Sequence, residues 1–373
     1  MAGLYIHIPF CRKACVYCNF HFTIQHRGMP EMTAAIAKES DLRSNFFEGE
    51  ALETLYFGGG TPSAVPHQDI DYLIRKMRGN FDIQDNAEIT LEANPEDVTT
   101  ENLDAWAKSG VNRLSIGIQS LQDKELQWMN RNHHAERARN CVEDALKAGI
   151  RSVNVDLIYG SPLLDNHDWK LNLDWAFGCG ADHISAYGLT VEPGTLLYKK
   201  VQKAVLPDVD ENIQASQYEI LYHTALQQGW DFYEISNLSK PGHRAKHNSN
   251  YWKNKPYLGL GPSAHSFTGK QRSWNVRDNK KYVEALDRGE LPLESEILTE
   301  KDLYNEFVMT RLRMSEGFGL EELDSFKILA PKNFQAIFSE WRSLGYLQED
   351  ANRVSLSLKG RLICDTLTTD LMI

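Results

Sequence analysis

The sequence predicts an α/β fold: an open, partial (β/α)6 barrel followed by a small winged-helix-like α+β domain. Residues 3–190 alternate short apolar runs with amphipathic stretches. Most connections between them end in Gly, Pro or Asn, the residues of turns. Beyond residue 297 the pattern changes to helices followed by a hairpin. Six βα units in a row predict a parallel sheet with right-handed crossovers. Six falls short of the eight that close a full barrel.

The apolar runs taken as strands are Leu4–Ile8, Thr54–Phe57, Glu88–Glu92, Arg113–Ile118, Ser152–Ile158 and His183–Leu189. Helical periodicity covers Asp69–Met77, Leu103–Lys108, Ala135–Ala148 and Trp169–Phe177, with a further helix over Asn212–Gln228. These define a first domain over 1–230. Residues 191–296 are less regular, and 231–296 read as an extension. The third segment, 297–373, has helical patterns over Asp302–Met314, Leu320–Phe326 and Asn333–Ser343, a hairpin around Gly345–Leu358, and a last helix. A winged helix suggests DNA binding. Here nine Lys/Arg stand against twelve Asp/Glu, which removes the main source of DNA affinity. A structural or lid role is expected instead.

The 373 residues carry a formal net charge of −11, which argues against non-specific nucleic-acid binding. No apolar run reaches membrane-spanning length, and MAGLYIHIPF lacks the features of a signal peptide. A cytoplasmic location is expected. The charge is uneven: 235–277 holds no Asp or Glu but has Lys240, Arg244, Lys246, Lys253, Lys255, Lys270, Arg272 and Arg277. That basic island predicts an anionic partner.

The chemistry concentrates at strand ends, where barrels place working residues. After the first strand come Cys11, Cys15 and Cys18, spaced C-x3-C-x2-C with no fourth cysteine nearby. A structural zinc site wants four ligands. Three thiolates on a cubane cluster leave one iron open to bind a small molecule. Cys141, Cys179 and Cys364 are scattered, and Cys141 and Cys179 fall in or just after helical stretches, where free cysteine behaves as a small hydrophobe. The second strand ends in Gly58-Gly59-Gly60-Thr61-Pro62, where consecutive glycines let backbone N–H groups approach a charged ligand. Glu92, Gln119 and Asp156 add polar groups at the third, fourth and fifth strands.

Three cysteines at the first loop of a βα series resemble the radical S-adenosylmethionine superfamily. The resemblance covers about residues 3–230. It implies a [4Fe–4S] cluster on Cys11, Cys15 and Cys18 and one or two molecules of S-adenosylmethionine. The strings LYIHIPFC, YFGGGTPS, RLSIGIQS, LQWMNR, NVDLIYGSP and YLGLGPSAHS resemble the group of coproporphyrinogen dehydrogenases and HemW-type heme chaperones. That resemblance implies that Tyr5 contacts the cluster-bound S-adenosylmethionine and that Tyr17 lies over a nucleoside. Gly59, Gly60 and Thr61 would bind carboxylate and amino groups. Glu92, Gln119, Arg131 and Asp156 would take ribose, adenine and carboxylate contacts. Gly188 and His265 stand at positions of further contacts.

Two departures separate this chain from the dehydrogenases. Phe20 stands where their pattern has a fourth cysteine, and ten residues rather than several dozen precede Cys11. The string His247-Asn248-Ser249-Asn250-Tyr251-Trp252 resembles the chaperones' H-N-x-x-Y-W motif. It implies heme anchored at His247. Imidazole ligates iron, Tyr and Trp offer flat faces to a porphyrin, and Arg244, Lys246, Lys253 and Lys255 can pair with propionates. The expected function is binding heme and delivering it to haem-requiring, respiratory and membrane-associated apoproteins, without coproporphyrinogen dehydrogenase activity. No catalytic residue is assigned. The alternative is oxygen-independent decarboxylation of coproporphyrinogen III to protoporphyrinogen IX. A radical enzyme acting on RNA, with the basic island as a phosphate track, is opposed by the overall acidity.

Overall fold

The structure, a computed structural model, describes residues 2–319, 321, 322, 326, 334–350 and 353–373. Of the expected helix over 320–326, residues 320 and 323–325 lie outside the described residues, as do the first residue of the next helical pattern and the tip of the hairpin. All six expected barrel strands are present: β1 (Ala2–Ile8), β2 (Leu52–Gly59), β3 (Ile83–Ala93), β4 (Arg113–Gln119), β5 (Ser152–Tyr159) and β6 (His183–Gly188). They pair in sequence order, every neighbour parallel.

Residues 231–296 join the same sheet at both edges. β7 (Asn237–Ser239) runs antiparallel to β6. β8 (Tyr257–Leu260) runs parallel to β1. β9 (His265–Phe267), β10 (Gln271–Asn275) and β11 (Leu293–Ile297) continue outward as an antiparallel meander. The result is an eleven-stranded sheet in the order β11-β10-β9-β8-β1-β2-β3-β4-β5-β6-β7.

The period-2 alternation of strand side chains explains why this sheet has a polar inner face. Leu4, Ile6 and Ile8 of β1, Leu55 and Phe57 of β2, Leu114 and Ile116 of β4, and Val153, Val155 and Leu157 of β5 belong to the hydrophobic core. Trp106 and Trp169, from the helices Thr100–Ser109 and Asn166–Gly178, lie in that core too. Each such aliphatic side chain contributes about 1.5–3 kcal/mol on full burial. The intervening residues Tyr5, Tyr56, Glu92, Arg113, Asn154 and His183, one from each of β1–β6, line a single inner cavity. Six strands can share one cavity only if the sheet curls around it, so the sheet is an open barrel.

Local signals set the helix bounds. Thr99 caps the Thr100–Ser109 helix through Asn102 N–H, and Gly110 ends it at φ 100°. The Met29–Leu42 helix between β1 and β2 was not singled out from the sequence. Glu39 sits on its buried face and breaks the apolar stripe; its carboxylate accepts from Tyr282 O–H (2.5 Å), Asn275 (2.8 Å) and Gly261 N–H (2.9 Å). Burial raises its pKa.

The C-terminal segment has its own core, including Phe307, Phe318, Phe338, Trp341 and Leu367. A three-stranded antiparallel sheet, with β13 (Leu347–Asp350) and β14 (Arg353–Leu356) as the expected hairpin and β12 (Phe318–Gly319) beside β14, packs with helices Glu300–Arg313, Phe334–Ser343 and Cys364–Leu371. Among the described residues no helix is long and apolar enough to cross a membrane.

Candidate functional site

The loop after β1 carries the three cysteines and is fastened from several sides. Cys11 N–H donates to Thr23 O (2.9 Å), and Val16 N–H donates to Met129 O (3.2 Å). The Asn130 amide donates to Ala14 O (2.8 Å). Asn130 adopts φ 61°, so the Met129–Arg131 turn brackets the loop while aiming Arg131 inward. Gly60 N–H donates to Ile8 O (2.8 Å) and Thr61 N–H to Phe10 O (2.7 Å). This corrects one expectation: those two N–H groups tie down the cysteine loop rather than face a ligand. A Cβ on Gly60 would lie 2.7 Å from Phe10 O, so the close approach requires glycine.

Cys11, Cys15 and Cys18 line one cavity of about 380 Å³ at the C-terminal ends of the strands. Tyr17, Gly59, Gly60, Thr61, Glu92, Gln119, Arg131, Asp156 and Gly188 line it as well. Tyr5, His247 and His265 do not. Phe20 stands at its mouth, 65% exposed.

The wall is chemically divided. Thr61 O–H donates to Cys11 Sγ (3.3 Å), and Arg131 Nη1 to Cys15 Sγ (3.5 Å). Arg131 Nη2 also donates to Asn94 Oδ1 (2.6 Å) and Gly117 O (2.7 Å). Its Nε is buried without a hydrogen-bond partner among the described residues. Burial pushes the Cys11 thiol up to about 12 and Cys18 up to about 11; metal coordination would override this, because a coordinated thiol is deprotonated outright. No three His, Cys, Asp or Glu among the described residues are close enough to share one metal ion. A cubane takes each thiolate on a different iron. Donors aimed at two sulfurs suit such a cluster.

Across the cavity, Glu92 accepts from Tyr56 O–H (2.7 Å). Burial, with the Asp156 charge adding to it, pushes Glu92 up to about 7 against that hydrogen bond. Asp156 accepts from Asn154 (2.7 Å) and Ser115 O–H (3.2 Å), and burial raises its pKa. Carboxylates on one wall and a guanidinium on the other fit a zwitterionic, hydroxyl-bearing ligand. Tyr56, Asn94, Ser115 and Tyr187 also line this cavity. The sequence reading missed them; their only signal is an inward position in or just beyond a strand.

The inner cavity, about 210 Å³, lies toward the strand starts and shares Tyr56, Glu92, Ser115 and Tyr187 with the outer one. Tyr5 and His247 line it. His247, on the helix Lys246–Trp252, is only 3% exposed. Its Nδ1 is 2.7 Å from Thr54 Oγ1 and its Nε2 3.0 Å from the Tyr251 hydroxyl. Its ring stacks on Tyr56, centroids 4.9 Å apart. Burial lowers its pKa to about 3. His265 lines a separate hollow of about 670 Å³ beside Trp274. The basic island is partly neutralised by acids from elsewhere: Arg244 pairs with Asp231 and Glu316, and Arg272 with Glu306.

Comparison with known proteins agrees with this architecture. Residues 5–176 match the Radical SAM superfamily and residues 298–363 the HemN C-terminal domain. A protein named heme chaperone HemW from Mycobacterium tuberculosis is 32% identical over 99% of this chain and 94% of its own. The protein of that name from Bacillus subtilis is 30% identical over 97% of each chain. The structure of coproporphyrinogen III oxidase (HemN) from Escherichia coli superposes with a TM-score of 0.85. It is 23% identical and covers 99% of this chain and 89% of that one, a likeness of fold. With relatives at this identity matched nearly end to end, the chain belongs to the HemW family of the radical SAM superfamily.

Proposed function

We propose that this protein is a heme chaperone that carries a [4Fe–4S] cluster and hands heme to haem-requiring apoproteins. The observation that carries the reading is the nearly full-length match to relatives named heme chaperones. Superfamily membership implies the cluster and S-adenosylmethionine. Cys11, Cys15 and Cys18 would hold the cluster, and when bound it supplies an electron to the sulfonium of S-adenosylmethionine. Thr61 and Arg131 hold the sulfurs from the protein side. Tyr17, Gln119, Glu92, Asp156 and Gly188 bind and orient the nucleoside and amino-acid ends. A cavity of about 380 Å³ is in the range that takes one small-molecule ligand, and we assign it one S-adenosylmethionine.

Heme would be received at His247. Iron takes neutral imidazole, and the burial that lowers its pKa keeps His247 neutral. Tyr251 must first leave Nε2, so reception opens the short Lys246–Trp252 helix and presents Tyr251 and Trp252 to the porphyrin. With Arg244 engaged by Asp231 and Glu316, Lys246, Lys253 and Lys255 remain for the propionates. The acceptors are respiratory apoproteins at the cytoplasmic face of a membrane.

The second reading is coproporphyrinogen III decarboxylation, favoured by the polar wall around the cluster cavity. Both are tested together. Reconstituted protein is given S-adenosylmethionine, reductant and coproporphyrinogen III, and separately heme with an apo-acceptor. Heme transfer without protoporphyrinogen supports the chaperone; protoporphyrinogen formation overturns it.

A further inference from the structure

We infer that Arg113 builds an anion-binding subsite in the inner cavity, and that its ligand is a carboxylate. Arg113 opens β4 and is 3% exposed. Its side chain lines the inner cavity yet forms no hydrogen bond or ion pair among the described residues, and its Nε is fully buried without a partner. A guanidinium carries its charge at any accessible pH, and an unpaired buried charge is costly. Native proteins therefore give such a group a counter-ligand.

The nearby carboxylates are occupied elsewhere. Glu88 accepts the backbone N–H groups of Lys246 and His247, both at 3.0 Å. Asp182 accepts from Ser152, Val153 N–H and His243. Asp156 accepts from Asn154 and Ser115. Their charges act on Arg113 through space, and those of Glu88 and Asp182 help hold its pKa up against burial, but none of the three carboxylates hydrogen-bonds it. Glu92 is the one carboxylate lining the inner cavity among the described residues; it already takes the Tyr56 O–H.

The planar guanidinium fork matches a carboxylate in two parallel hydrogen bonds. A cavity of about 210 Å³ admits a small carboxylate or one carboxylate arm of a larger ligand, but not a porphyrin. The shared Tyr56–Glu92–Ser115–Tyr187 wall gives a route from the cluster cavity. His247 and Tyr251 line the same cavity, but the subsite follows from Arg113, and the bromide and propionate test does not depend on the heme reading.

The test uses the full reconstituted protein. Crystals are soaked in sodium bromide and, separately, in sodium propionate; propionate binding is also titrated in solution. The expected result is an anomalous bromide peak and a propionate carboxylate on the Arg113 guanidinium, with Arg113→Gln binding propionate at least about tenfold more weakly. Bromide displaced by heme but not by heme dimethyl ester identifies a tetrapyrrole arm. Displacement by propionate alone identifies a free small carboxylate. Either outcome upholds the subsite. Water alone on Arg113 in soaked wild-type crystals overturns it, as does bromide bound at the same place in Arg113→Gln. The wild-type arm stands even if the variant fails to fold.

Discussion

His247 Nδ1 lies 2.7 Å from the Thr54 hydroxyl, across a buried contact between the Lys246–Trp252 helix and β2. The two residues are 193 positions apart in the chain, so this bond stitches the H-N-x-x-Y-W segment into the barrel wall. Thr54→Val keeps the shape but leaves the imidazole nitrogen unsatisfied. The expected loss is about 1–3 kcal/mol, read by anaerobic urea unfolding. An unchanged midpoint would mean the ring is not held there.

The same burial sets a pH dependence. Folded His247 titrates at about 3, and an unfolded imidazole near about 6.5. Between those values the unfolded chain binds a proton that the folded chain does not. Stability from this residue is therefore present above about pH 6.5 and is lost as pH falls toward about 3. His247→Gln lacks that loss. The stability gap between wild type and variant should narrow from about pH 7.5 to about pH 5; a constant gap counts against a neutral, buried His247.

Gly60→Ala tests the fastening of the cysteine loop. The added methyl would meet Phe10 O at 2.7 Å, prising β2 from the loop that carries Cys11. Iron and sulfide per chain after reconstitution should fall by half or more, on the order expected when a preformed site is distorted. Full cluster content would show that the loop tolerates the displacement.

Arg131→Met tests the bracket from the other side. It strips donors from Asn94 Oδ1, Gly117 O and Cys15 Sγ. Leaving buried acceptors unpaired costs about 1–3 kcal/mol each, and S-adenosylmethionine affinity measured calorimetrically should drop about tenfold or more with the lost charge pair. Unaltered affinity would place the ligand elsewhere.

Much of the barrel was legible because the strands have an apolar outer face and most of them end near glycine, proline or asparagine. The C-terminal hairpin was legible for the same reason. Cys11, Cys15 and Cys18 stood out by their spacing, the family resemblance pointed to Tyr17, Glu92, Gln119, Arg131 and Asp156 on the same cavity, and Tyr56, Asn94, Ser115 and Tyr187 were missed. What stayed hidden depends on long-range pairing. Nothing local says that Tyr257–Leu260 pairs with β1, or that Gly60 and Thr61 turn their N–H groups onto Ile8 and Phe10. The placement of His247 was hidden too: a histidine in a lysine-rich stretch reads as solvated, whereas tertiary packing seats it against Thr54, Tyr56 and Tyr251. Arg244 looked free because its acids, Asp231 and Glu316, lie outside the acid-free stretch.

The central claim is that His247 receives heme. Its most direct test is an anaerobic heme titration of the reconstituted wild type and His247→Ala, followed through the Soret band, with iron–sulfur content as the control for folding. The account predicts one heme per wild-type chain and at least about tenfold weaker binding by the variant, about 1.4 kcal/mol. Equal affinity and an identical spectrum in a variant with a full cluster would contradict it.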